Sequence, residues 1–163
     1  AGIRDQIKLG AAGKIVSAFD IARALALGAD WCNSARGFMF AIGCIQAQAC
    51  HTNHCPTGVA TQDAGRQRAL NVIDKGTRVA NFHRNTLKAL GDMAGAAGLS
   101  HPSQFLPHHF LMREKDRDMV TGEDVFPYMP EGFLLREDDA QFGYLVRWRR
   151  ASSASFMPFD DGV

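Results

Sequence analysis

Three cysteines, Cys44, Cys50 and Cys55, fall in the stretch GCIQAQACHTNHCPTGVATQ, residues 43–62, at the spacing C-x5-C-x4-C. His51 and His54 lie among them. Three chemistries are open to such a set. Zinc takes three thiolates and one imidazole in a closed tetrahedral Cys3His site. An iron–sulfur cluster with three iron corners needs three thiolates and no imidazole. Buried thiols with no metal are the third reading. Spacing alone does not choose among them. A disulfide framework fits poorly, because the fourth cysteine, Cys32, lies twelve residues upstream of Cys44 and no secretory signal precedes it.

Two further stretches suit a phosphate. LGAAGKI, residues 9–15, is a turn of small residues that a ligand can approach closely. NSARG, residues 33–37, opens a helix, whose free N–H groups and positive dipole end favour an anion, with the Arg36 guanidinium beside them. Each alone also reads as an ordinary tight turn. Together they follow successive strands, and in (β/α)8 barrels the loops after strands 7 and 8 form the phosphate site.

The elements that position these residues follow from local pattern. Residues 6–16, QIKLGAAGKIV, read as a strand. Ser17 and Asp20 have capping-box spacing and open a helix over about 18–27, with Ile21, Ala24 and Leu25 on one face and Gly28 at its stop. ADWCN, residues 29–33, is a second strand, and SARGFMFAIG starts a second helix. Strand, helix, strand with short connections implies a parallel βαβ unit. Residues 44–62 are a loop, and 75–98 are mostly helical with Val79, Phe82, Leu87 and Leu90 as the apolar stripe. HPSQFLPHHF, residues 101–110, reads as a surface loop despite its three histidines. From 113 the chain is charged and weakly periodic, REKDRD at 113–118 reads as solvated surface, and the tail ASSASFMPFDDGV is expected to be mobile.

Composition bounds the rest. A chain of 163 residues suits one domain, and a net charge of +1 argues against a nucleic-acid partner, the small patch of Trp148 with Arg147, Arg149 and Arg150 notwithstanding. No stretch has membrane-spanning character, so no membrane segment is expected, and a cytoplasmic location is. The chain opens on AGIRDQIKLG without an initiator Met, and we read it as a segment of a longer protein.

The run GADWCNSARGFMFAIGCIQAQACHTNHCPTGVATQD, residues 28–63, resembles the C-terminal part of the FMN-binding synthase domain of glutamate synthase, in the short, stand-alone branch of that family. The resemblance extends through GKIVSAFDIARALALGAD, VANFHRNTLKAL and PHHF. It implies an α/β fold, namely about strands 7 and 8 of a TIM (β/α)8 barrel, then a cysteine-rich cluster loop, a long helix and an irregular tail. Residues 1–110 would be the barrel part, with the iron–sulfur loop at 44–55, and 111–163 a partly irregular C-terminal extension. Gly13 and Lys14 match the turn after strand 7, and Ala35 and Arg36 the turn after strand 8, that hold the FMN phosphate. Cys44, Cys50 and Cys55 match the three ligands of a [3Fe–4S] cluster; Cys32 is a buried thiol in strand 8. Ala12 and Ala18 depart from the family pattern.

The implied reaction is reductive amination of 2-oxoglutarate, through 2-iminoglutarate, to L-glutamate. Its partners would be ammonia, free or glutamine-derived, and an electron donor such as ferredoxin or a reductase subunit. The resemblance assigns no catalytic acid or base to residues of this stretch, so these stay unknown, and the chain by itself is expected to be inactive. The alternative is a metal-stapled structural or electron-transfer module, holding zinc or an iron–sulfur centre without turnover.

Overall fold

The strands are three residues each, and the first is made of small residues alone. The computed structural model describes residues 2–113, 119–126, 128–136 and 144–157. Strand β1 is Gly10–Ala12, much shorter than the expected 6–16: Arg4–Gln6 form a 3-10 turn, and the backbone leaves the strand at Gly13 and Lys14, with φ of 106° and 56°. Strand β2 is Trp31–Asn33 and pairs with β1 in parallel, Ala11 opposite Cys32. Helix α1, Ala18–Ala26, connects them, so the expected βαβ order is the one found.

Ser17 starts α1. Its hydroxyl accepts the Asp20 N–H at 3.2 Å, and the Asp20 carboxylate accepts the Ser17 N–H at 2.9 Å. The buried face of α1 is Ala18, Ala22 and Ala26, not the expected Ile21, Ala24 and Leu25. A row of methyl groups at i, i+4, i+8 lets a neighbouring helix come close, and Ile21 packs at the edge of that contact.

The neighbour is α4, Val72–Ala96, capped by the Asn71 side chain on the Asp74 N–H at 3.0 Å. Leu90 and Ala94 are its buried residues. Val79 and Phe82 are partly buried, whereas Leu87 is half exposed and leaves the expected stripe. Helix α2, Ala35–Ile42, packs against α4 through Phe38 and Phe82, whose rings meet edge to face at 5.2 Å. A short helix, α3, Ala64–Gln67, is capped by Asp63 and precedes α4.

Phe105 and Phe110 complete the core with Ala18, Ala22, Ala26, Leu90 and Ala94. Two proline-initiated 3-10 turns, Pro102–Gln104 and Pro107–His109, deliver these two rings. The histidines beside them are spent locally: His101 Nδ1 accepts the Ser103 N–H, and His109 Nδ1 the Leu106 N–H. Beyond them β3, Leu111–Arg113, runs antiparallel to β4, Met119–Thr121, and α5, Gly122–Val125, carries a second capping box from Thr121 and Asp124.

Strands β1–β4, helices α1–α5 and the two proline-initiated turns form one compact unit, Leu9–Phe126. Ala1–Lys8 and Pro127–Val163 form another, with helices α6, Phe133–Arg136, and α7, Tyr144–Arg149. Residues 114–118 of the charged run, Pro127 and the last six residues of the tail lie outside the described residues. The architecture is mixed helix and strand, α/β, and among the described residues no helix is long and apolar enough to cross a membrane.

Candidate cofactor turns and cysteine loop

Because β1 and β2 are parallel and in register, the turns that follow them lie side by side. One hydrogen bond joins them: the Ser34 hydroxyl donates to the Ile15 carbonyl at 2.8 Å. Ser34 is the N-cap residue of α2, yet its side chain makes no capping bond. Used between the turns, it leaves the first N–H groups of α2 without a side-chain partner among the described residues. At α1 the opposite holds, since the Asp20 carboxylate takes the N–H groups of Ser17 and Val16 and occupies that entrance with negative charge. Of the two helix starts, the one at α2 is without such a carboxylate among the described residues.

The residues expected to hold a phosphate lie on these two turns, Gly13 and Lys14 on the first, Ala35 and Arg36 on the second. Gly13 turns with φ 106°, and a side chain built there would meet nothing within 4 Å, so the space above it is open. Lys14 and Arg36 are exposed and, among the described residues, their side chains have no hydrogen-bond or ion-pair partner. Ala35 opens the helix beside them. An open turn, an uncapped helix end and two free cations suit the phosphate of a mononucleotide.

Helix α2 ends in a reversed, Schellman-type cap. Gly43 adopts φ 109°, and the Cys44 N–H reaches back to the Met39 carbonyl at 2.9 Å. The cap fixes Cys44 at the end of the helix that opens at Ser34. The loop beyond then winds tightly: Gln46, Gln48 and Asn53 have φ of 58°, 55° and 64°. With Lys14 they are the four non-glycine residues of positive φ among those described, so strained backbone collects at the two predicted sites. Gly58 has φ 77°, and a Cβ there would collide with the Arg66 carbonyl, so the Pro-Thr-Gly turn needs its glycine.

Cys44, Cys50 and Cys55 line one cavity, walled by Met39, Ile45, Ala49 and Val59, and neither His51 nor His54 lines it. All four cysteines are free thiols. Among the described residues no three His, Cys, Asp or Glu side chains already stand at metal-ligating separation, so the thiols share a cavity without yet converging. Cys55 is buried, at 7% exposure, beneath its own loop. The Thr57 hydroxyl, 3.5 Å from its sulfur, and the N–H groups of Ala60, Thr57 and Val59 bring its thiol down to about 7. Near neutral pH this loop already supports a thiolate, the ligand form. Burial pushes the Cys32 thiol the other way, in the middle of β2.

The donors that line this cavity are thiols, with the Gln48 and Thr57 side chains beside them and no imidazole; thiols are the ligand type of an iron–sulfur cluster, and the space between them, about 10 Å³, would have to widen to admit one. Sequence reasoning did not single out Ser34, Asn53, Thr57 or Thr61, which organise the two sites. Their small polar side chains follow no period, and the turn-forming Asn and the Pro-Thr-Gly break were the signals available.

A model of the conserved region in glutamate synthase matches residues 1–100. The chain belongs to the glutamate synthase family. It is 46% identical over 124 residues to the glutamate synthase large subunit-like protein YerD of Bacillus subtilis, covering 76% of this chain and 24% of that protein. It is 34% identical over 99 residues to the archaeal-type glutamate synthase (NADPH) of Dehalococcoides mccartyi, 61% of this chain and 20% of that protein. Over 61 residues it is 43% identical to the chloroplastic ferredoxin-dependent glutamate synthase of Oryza sativa, 37% of this chain and 4% of that protein. The chain thus spans about a quarter or less of the length of these curated relatives. The YerD and archaeal-type matches place it with the short, stand-alone branch of the glutamate synthases. The region matched to the family contains both βα turns and all three loop thiols, whereas β3, β4 and α5 lie beyond it.

Proposed function

We propose that this chain carries the cofactor-binding part of an oxidoreductase that makes L-glutamate from 2-oxoglutarate and ammonia through 2-iminoglutarate. One observation carries the reading: a single helix, α2, has the uncapped phosphate turn at its start and the first of three cavity-lining thiols at its end. In this reading β1 and β2 are strands 7 and 8 of a (β/α)8 barrel. Among the described residues the sheet has two strands, so each has an unpaired edge, and Phe19, Trp31 and Leu87 remain about half exposed. The rest of the barrel, with the substrate-binding residues, belongs to parts of the family that this chain does not span.

Gly13, Lys14, Ala35 and Arg36 hold the FMN phosphate. The α2 N–H groups and the guanidinium neutralise it, and Ser34 keeps the two turns at fixed separation. Cys44, Cys50 and Cys55 hold a [3Fe–4S] cluster, whose three iron corners take the three thiolates. When bound, FMN supplies hydride transfer and the cluster supplies single electrons from ferredoxin or a reductase subunit. Met39, Ile45, Ala49 and Val59 line the cavity beside the thiols, of which Cys55 is buried and Cys50 exposed.

Anaerobic purification of the full-length protein, with iron and sulfide analysis, low-temperature EPR of the oxidised form and assay of glutamate formation, tests this. Stoichiometric zinc without iron or sulfide would return the metal-stapled alternative.

A further inference from the structure

One side chain closes the loop that carries the thiols. Asn53 lies between Cys50 and Cys55. Its carbonyl oxygen and its Oδ1 share the Thr61 hydroxyl, at 2.7 and 3.0 Å, and Oδ1 also accepts the Gln62 N–H at 2.6 Å. Thr61 is held in turn, its carbonyl by the Gln67 side-chain amide at 2.8 Å and its hydroxyl by the Asp63 N–H at 3.1 Å. Residues 53–62 thereby form a closed ring anchored to α3 at its N-cap Asp63 and its last residue Gln67. Cys55 lies inside the ring and is buried; Cys50 lies outside it and is exposed; Cys44 is half-buried at the end of α2.

We propose that Asn53 is the positioning residue of this loop, presetting Cys55 as the fixed ligand onto which Cys50 and Cys44 close when the cluster assembles. The proposal rests on the reading of the three thiols as cluster ligands. Two properties of asparagine are needed together. Its backbone tolerates the left-handed conformation at φ 64°, and its Oδ1 supplies the acceptor that Thr61 and Gln62 share. A ligand held in place beforehand has less freedom to lose on binding, so its contribution is a tighter site rather than a new contact with metal.

Four forms of the full-length protein separate these properties: wild type, Asn53→Asp, Asn53→Gly and Asn53→Ala. Aspartate keeps both, glycine keeps the backbone freedom alone, and alanine keeps neither. In the metal-free protein, alkylation of each cysteine is followed by peptide mass spectrometry, with Cys32 in β2 as the control for an intact fold. Cys55 should react more slowly than Cys50 in wild type and Asn53→Asp, and about tenfold faster in Asn53→Gly and Asn53→Ala than in wild type. After cluster reconstitution, iron should pass to a chelator about 10–100-fold faster from the glycine and alanine forms, the usual range for loss of an outer-shell partner. An unchanged Cys55 rate in Asn53→Gly overturns the proposal, as does an aspartate form that behaves like the glycine form. If wild type takes up no iron, the cluster reading fails by itself, and the Cys55 alkylation rates still decide the role of Asn53.

Discussion

The Ser34 hydroxyl donates to the Ile15 carbonyl at 2.8 Å, tying the turn after β2 to the turn after β1. Ser34→Ala leaves that partly buried carbonyl without its partner, and the unfolding free energy should fall by about 1–2 kcal/mol. Urea denaturation of wild type and variant checks this. Ser34→Asp should weaken FMN binding more than the alanine change, because a carboxylate would cap α2 and compete with phosphate for the same N–H groups.

Arg36 is the second lever on the flavin. It stands exposed at the start of α2, with no side-chain partner among the described residues. Arg36→Ala should weaken FMN binding by about 1–3 kcal/mol, the scale of a charge-assisted hydrogen bond, with little change in thermal stability. Flavin fluorescence titration measures the first and a melting curve the second. Unaltered flavin affinity would place the phosphate elsewhere.

The cysteines divide by position. Serine at Cys44, Cys50 or Cys55 should abolish the cluster EPR signal. Cys32→Ser should leave iron content unchanged, because Cys32 is in mid-strand opposite Ala11 and does not line the thiol cavity. Loss of iron in the Cys32 variant would show that the ligand set is wrong.

Acid should weaken the α1 cap. The Ser17 N–H holds the Asp20 carboxyl below its ordinary value; burial, the next influence, opposes it, and the Ser17 hydroxyl, the Val16 N–H and the Arg23 charge add to the lowering. A carboxyl depressed in the folded state contributes stability above its unfolded value, near 3.9, and that stability is lost as pH falls through the folded value. Asp20→Asn should therefore lower stability at pH 7 and reduce the further loss on going to pH 3. Asp63 and Asp124 are lowered in the same way, so the variant removes one share of the acid dependence. Chemical denaturation at the two pH values gives the comparison.

Where local chemistry decides, the sequence was readable. Ser17 and Asp20 three residues apart specify a helix start, and the structure forms both reciprocal bonds. The parallel pairing of β1 and β2 followed from a helix between two short strands. The buried face of α1 was not readable, because a methyl stripe becomes core only through the close approach of α4, more than forty residues away. Ser34 illustrates the same limit at the site. As a helix-opening serine it would ordinarily cap, and only the parallel register of the strands brings Ile15 within its reach. Asn53 and Thr61 find each other through the three-dimensional path of an irregular loop, which no periodicity encodes.

Helix α2 also acts as a ruler. Its eight residues set about 12 Å and a fixed angle between the phosphate turn and Cys44. A point substitution on its outer face leaves that measure intact. Inserting a single residue turns everything beyond it by about 100° and advances it by about 1.5 Å. Cys44 would then face away from Cys50 and Cys55 while every ligand was still present in the sequence. Between residues 35 and 42 the length of the chain should therefore be held more strictly than its composition, and natural variation there should come as replacements and not as gaps.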